Sequence, residues 1–168
     1  MNIVIIGSGN VAAILGRKFL KAGHSIVQIY SRNASAASEL AYEWDTESTN
    51  YKSLIVKNAD VYIIAVSDIA IEEVVDDLSF PGKVVAHTAA SVPKEILQHV
   101  TSHYGVFYPL QSLRKEMTDL PEIPIFTDGS DAQTKKTLSS LAQSISPEQV
   151  TEAGDEARLK MHVAAVIV

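Results

Sequence analysis

The chain has 168 residues, 14 Lys and Arg against 20 Asp and Glu, a net charge of −6 and no cysteine. At 46% apolar and 20% charged residues it falls in the globular range, and its length suits one domain. An acidic pI near 5.3 argues against nucleic acid or an anionic membrane as the main partner, and the missing cysteines exclude disulfides, thiol nucleophiles and thiolate metal sites.

No apolar run approaches the ~18 residues of a bilayer span. The amino-terminal Met1-Asn2-Ile3-Val4 reads as a strand rather than a secretory leader, so a cytoplasmic location is expected. Along the chain, Ile3–Ile6, Ile26–Tyr30, Val61–Val66 and Val84–Ala86 are apolar and mostly β-branched, as strands buried on both faces are. Between them, Val11–Ala22, Ala34–Tyr42 and Ile69–Leu78 are expected helices, the first stopped by Ala22-Gly23-His24-Ser25 and the third capped by Asp68. Further on, Pro93–Val100 reads as a helix, Tyr104–Tyr108 and Ile123–Thr127 as strands, and Asp131–Ser144 and the stretch from Gly154 as helices. This alternation predicts an α/β fold: a doubly wound, mostly parallel sheet with helices on both faces. The apolar end, Val163–Val168, is either a terminal helix docked in the core or a helix leading into another domain. The missing stop signals favour the second, giving one domain over 1–153 and the first helix of a helical domain over 154–168.

The first strand runs into Gly7-Ser8-Gly9-Asn10-Val11-Ala12, a G-x-G-x-x-A turn opening an amphipathic helix. Gly7 permits the tight turn, Gly9 removes a Cβ that would block a pyrophosphate, and Ala12 lets helix and strand pack closely. Free N–H groups at the helix start then face the diphosphate. A ligand-free Gly-rich turn is the alternative, disfavoured by the strand–helix context. The second strand ends Tyr30-Ser31-Arg32-Asn33, without the carboxylate that would bond a ribose 2′-OH. A cation with small polar groups suits a 2′-phosphate, so NADP(H) is expected over NAD(H), unless Arg32 is an ordinary solvated arginine.

The segment through about residue 110 resembles the amino-terminal domain of β-hydroxyacid dehydrogenases and pyrroline-carboxylate reductases. Nearly the whole chain is similar to a family with no assigned substrate, in which a Rossmann-like module precedes a helical domain, grouped with NADP oxidoreductases. The matching residues are the Gly7–Ala12 turn, Tyr30-Ser31-Arg32, Ala65-Val66-Ser67-Asp68, His87-Thr88, Tyr104 through Ser112, and Arg158 with His162. The resemblance implies that Val66, Ser67 and Asp68 lie along the cofactor towards its nicotinamide ribose, and that His87 and Thr88 lie by the ring. It also implies a small-molecule substrate and a homodimer paired through the helical region. Where the family has Ser-Gly after His-Thr, this chain has Ala89-Ala90, which removes one hydroxyl.

His87 is an acid/base candidate, or else a strand-end histidine bonded to backbone. Gly154-Asp155-Glu156-Ala157-Arg158-Leu159-Lys160-Met161-His162 puts Arg158 and His162 on one helical face, where the related dehydrogenases carry Lys and Asn. Arg158 is expected to clamp a substrate carboxylate without donating a proton, leaving proton transfer to His162 or His87. The other reading is a surface arginine with a packed histidine. Gln111 and Ser112 are further substrate-binding candidates, and no spacing suggests a metal. The expected function is hydride transfer between NADP(H) and a small carbonyl, imine or hydroxy acid. The alternatives are an NADP(H)-binding sensor or scaffold without turnover and, more weakly, a reductase of a deazaflavin.

Overall fold

In the computed structural model, which describes residues 1–119 and 122–167, the apolar runs become the centre of one sheet. The elements are β1 (Asn2–Ile6), α1 (Asn10–Lys21), β2 (Ser25–Tyr30), α2 (Ala34–Trp44), β3 (Glu47–Thr49), β4 (Val61–Ile64) and α3 (Ile71–Val75). They continue with β5 (Val84–His87), β6 (His103–Pro109), β7 (Ile125–Gly129), α4 (Ala132–Ile145), β8 (Val150–Glu152) and α5 (Asp155–Ile167). The eight strands lie in the order β3-β2-β1-β4-β5-β6-β7-β8. The first six in chain order are mutually parallel, β7 runs against β6, and β8 follows β7.

Alternate residues of each strand serve opposite faces. Ile3, Ile5, Val61, Ile63, Ala86 and Phe107 pack with α1, α2 and α4, whereas Val4, Ile6, Tyr62, Ile64 and Val85 pack with α3, Leu97 and Val100. Helices on both faces explain why the strands are apolar at every position. Each such side chain contributes roughly 1.5–3 kcal/mol on burial. Register carries the strand ends to one edge: Ile6 lies opposite Tyr30 and Ile64, Ile64 opposite His87, and His87 opposite Val106. The chain reverses its direction of winding between β1 and β4, where open α/β sheets form their ligand crevice.

Several local expectations are corrected. Asp68 is not a helix cap; it opens a 3-10 turn, Asp68–Ala70, and α3 is one short helix of 5 residues. Its carboxylate instead accepts from Ser91 Oγ at 3.0 Å. The segment from Pro93 forms a 3-10 turn, Lys94–Leu97, rather than a helix to Val100. β4 ends at Ile64, two residues short of the expected Val66, and β7 is shifted two residues along, running Ile125–Gly129 rather than Ile123–Thr127. No helix among the described residues is long and apolar enough to cross a membrane.

Candidate functional site

Two of the turn glycines answer to different demands. Gly7 has φ +122°, donates its N–H to Tyr30 O at 2.8 Å, and a Cβ on it would fall 2.1 Å from Ala65 O. It is held by the meeting of β1, β2 and β4. Gly9, with φ −85°, has extended backbone, and a Cβ there would meet nothing within 4 Å. The space above it is open. Ser8 Oγ and Ser31 Oγ bond each other at 2.7 Å, linking the turn to the end of β2. Asn10 Oδ1 accepts from Lys115 N at 3.0 Å, and Ala12 is fully buried. With Val11 packed on the core, these residues offer the free backbone N–H groups of the first turn of α1.

A cavity of about 290 Å³ opens beside the turn, lined by Gly7, Ser8, Gly9, Tyr30, Ser31, Arg32 and Asn33 with Ala65, Val66, Ser67, Ala70 and Val74. Arg32 stands at its rim with its side chain 56% exposed, paired to Glu73 Oε1 at 3.2 Å. So exposed a pair is worth ~1 kcal/mol or less, so the guanidinium is free to turn to a stronger anion. Asn33 uses its side chain to cap α2, accepting from Ala36 N at 3.0 Å.

A second cavity of about 360 Å³ continues from the first, sharing Gly9, Ala65, Val66 and Ser67. Its further lining includes Asp68, Thr88, Ala90, Tyr108, Pro109, Gln111, Leu113 and His162. Thr88 Oγ1 points back to Ile64 O at 3.4 Å. Ser112 is exposed and lines neither cavity. Among the described residues no group of three His, Asp or Glu side chains could hold a metal.

His87 lies behind this wall, fully buried. Its Nδ1 accepts from Ala89 N at 3.0 Å, so its Nε2 carries the proton and donates to Pro93 O at 3.3 Å. Burial, and then the nearby charge of Arg158, lower its pKa from 6.5 to about 4. The residue expected as an acid/base is thus engaged at both nitrogens in its neutral form, pinning the loop after β5. Because the unfolded chain binds this proton first, stability is full above pH 6.5 and declines as pH falls through 6.5 towards 4. The loss amounts to about 3 kcal/mol. Urea midpoints followed over that window should fall less for His87→Asn than for the unmodified protein; parallel slopes would count against this origin.

Arg158 is also buried, at 1% exposure. Its Nε donates to Ala90 O at 3.0 Å, its Nη1 to Asp155 Oδ1 at 2.9 Å and its Nη2 to Val92 O. Asp155 in turn accepts from Lys94 N at 3.4 Å, and Lys94 Nζ reaches Asp128 Oδ2 at 3.1 Å. The guanidinium lines neither cavity, because the backbone of the loop after β5 already occupies the donors expected to meet a carboxylate. His162, one helical turn along, does reach the second cavity. Its Nδ1 lies 2.6 Å from Tyr108 Oη, the two rings crossing at 70° with centroids 5.9 Å apart. Burial raises the pKa of the Tyr108 phenol, the charge of Asp68 adds to this, and Arg158 opposes it. Sequence reasoning read Tyr108 only as part of an aromatic strand. Its signal was position, as the penultimate residue of a strand whose end lines the second cavity.

Residues 2–91 match the family model described as NADP oxidoreductase, coenzyme F420-dependent. A Bacteroides fragilis protein, itself a candidate NADP oxidoreductase, is 34% identical and superposes with a TM-score of 0.87 over 99% of this chain. A Thermotoga maritima protein shows 21% identity and a TM-score of 0.78 over 99% of the chain. An imine reductase from Myxococcus stipitatus, solved with NADP+, shows 14% identity and a TM-score of 0.74 over 99% of the chain. This chain spans 65%, 63% and 60% of those three longer proteins respectively. No curated protein matches it.

Proposed function

The chain belongs to the family of F420-dependent NADP oxidoreductases, and from that premise we propose that it binds NADP(H) in an enzyme moving hydride to or from a small carbonyl, imine or hydroxy acid. One observation carries this reading. Gly9 is the floor of two joined cavities, and a Cβ on it would meet nothing within 4 Å. That is the space a diphosphate needs at a helix start. Arg32 and Ser31 would take the 2′-phosphate, with Ser8 and Asn33 beside them. Backbone N–H groups of Asn10, Val11 and Ala12 would meet the diphosphate. Val66, Ser67, Asp68 and Thr88 would flank the nicotinamide end. When bound, the reduced nicotinamide supplies a hydride. His162 and Gln111 would face the substrate; His87 and Arg158 would hold the loop between them, as positioning residues.

This reading assigns residues 1–153 to cofactor binding and 154–168 to the start of a helical region through which two copies pair, in the cytoplasm. The sensor alternative draws support from Ala89 and Ala90, two buried residues that bring no reactive group to the loop. Hydride exchange on bound NADPH separates the two. Cofactor choice is the direct test of the site. Calorimetry should show NADPH binding at least about tenfold tighter than NADH (~1.4 kcal/mol), with Arg32→Asp reversing the order. Equal affinities in the unmodified protein would remove the 2′-phosphate from the site.

A further inference from the structure

Tyr108 and His162 reach the second cavity from different elements, the end of β6 and the middle of α5. They meet there at 2.6 Å. Such a contact needs one proton between two atoms that can each donate or accept, so the pair has two arrangements. With neutral His162 protonated on Nε2, the Tyr108 O–H donates to Nδ1. With His162 as imidazolium, Nδ1–H donates to the Tyr108 oxygen and turns the phenol O–H towards the cavity. Asp68, at the same wall, favours the protonated phenol, while Arg158 behind it works in the opposite sense.

We propose that Tyr108 is the proton-donating catalytic residue of this site, recharged by His162. The step balances. The Tyr108 O–H bond breaks as a proton passes to the carbonyl oxygen or imine nitrogen of the substrate, whose carbon gains the hydride of the reduced nicotinamide. The imidazolium Nδ1–H passes to the Tyr108 oxygen, so the phenol is restored and His162 is left neutral. His162, half-exposed, then regains a proton from water. Oxidation of an alcohol or amine runs the same transfers backwards. Neither His87, sealed behind the wall, nor Arg158, which cannot give up a proton, replaces this route.

This inference rests on the NADP(H) reading, and its test separates the two. The probes are NADPH and isobutyramide, an unreactive neutral mimic of a carbonyl. In protein carrying ring-labelled tyrosine and histidine, NADPH should shift the Tyr108 Cζ and His162 nitrogen resonances in NMR spectra and leave those of His103 in place. His103 begins the strand that Tyr108 nearly ends, at the opposite edge of the sheet. Isobutyramide added to the NADPH complex should move Tyr108 Cζ again. Tyr108→Phe should weaken isobutyramide about tenfold while NADPH affinity stays within about twofold, and His162→Gln should abolish the pH dependence of isobutyramide binding. NADPH binding with no response at Tyr108, or an amide bound no better by the unmodified protein than by Tyr108→Phe, overturns the proposal and leaves the cofactor reading standing. Failure of NADPH to bind overturns both.

Discussion

Gly9→Val should raise the dissociation constant for NADPH at least about a hundredfold, ~2.7 kcal/mol, while the protein keeps its native circular dichroism spectrum. A valine fits the backbone at φ −85°, and its Cβ touches no protein atom within 4 Å. The only folded-state cost is a poorer residue at the start of α1, about 1 kcal/mol. The isopropyl group would instead fill the floor shared by both cavities. Gly7→Ala is the instructive contrast. There the Cβ would lie 2.1 Å from Ala65 O at a φ of +122°, so the fold itself should suffer. Calorimetric titration with thermal melts separates the two glycines. Unchanged NADPH affinity in a folded Gly9→Val protein would mean that the turn serves only the chain.

Arg158→Met should lower unfolding stability by roughly 3 kcal/mol, because it leaves one buried carbonyl, one partly buried carbonyl and a partly buried carboxylate without their donor. The carbonyls are those of Ala90 and Val92, and the carboxylate is that of Asp155. Methionine fills the volume without the fork. Lysine should rescue little, since one ammonium cannot span three acceptors in that plane. The same change removes a positive charge near His87, so the histidine should protonate at a higher pH, nearer its unfolded value, and the further loss of stability between pH 6.5 and 4 should be smaller. A surface arginine waiting for a substrate carboxylate would behave otherwise. It would cost a few tenths of a kcal/mol at most. Denaturant unfolding of the three proteins decides between a clamp on the chain and a clamp on a ligand.

The sheet was legible because its central strands are apolar on both sides and each is followed by a helix or turn with a readable boundary. β3 and β8 were not. Glu47-Ser48-Thr49 and Val150-Thr151-Glu152 lie at the two edges, where one side of each ladder is open and polar residues are tolerated. Asp68 looked like a cap because an acidic residue before an apolar run is a helix start in one dimension; in three it turns to Ser91. The Gly-rich turn was legible from its place between an apolar strand and an amphipathic helix; local geometry demands Gly7 but not Gly9. Arg158 and His162 show the limit of spacing. A separation of four residues places two side chains on one face, but not at one depth, and only packing tells that the arginine's donors are already taken. Tyr108 was hidden for the opposite reason: an aromatic residue in an apolar strand looks like core until its hydroxyl is seen to leave it.

The glycines of this chain also keep a historical record. Gly16 lies 2.3 Å, as a Cβ, from the Trp44 ring, and Gly105 2.2 Å from Asp128 O, so any descendant that still folds must retain them or rebuild their surroundings. Gly9 has no such neighbour. Within the polypeptide only its place at the start of α1 favours it. On the NADP(H) reading, a lineage that gave up its dinucleotide would be free to lose Gly9, while Gly7, Gly16 and Gly105 persisted as marks of the inherited fold. On that reading, glycine at position 9 is a trace of selection by the ligand rather than by the chain.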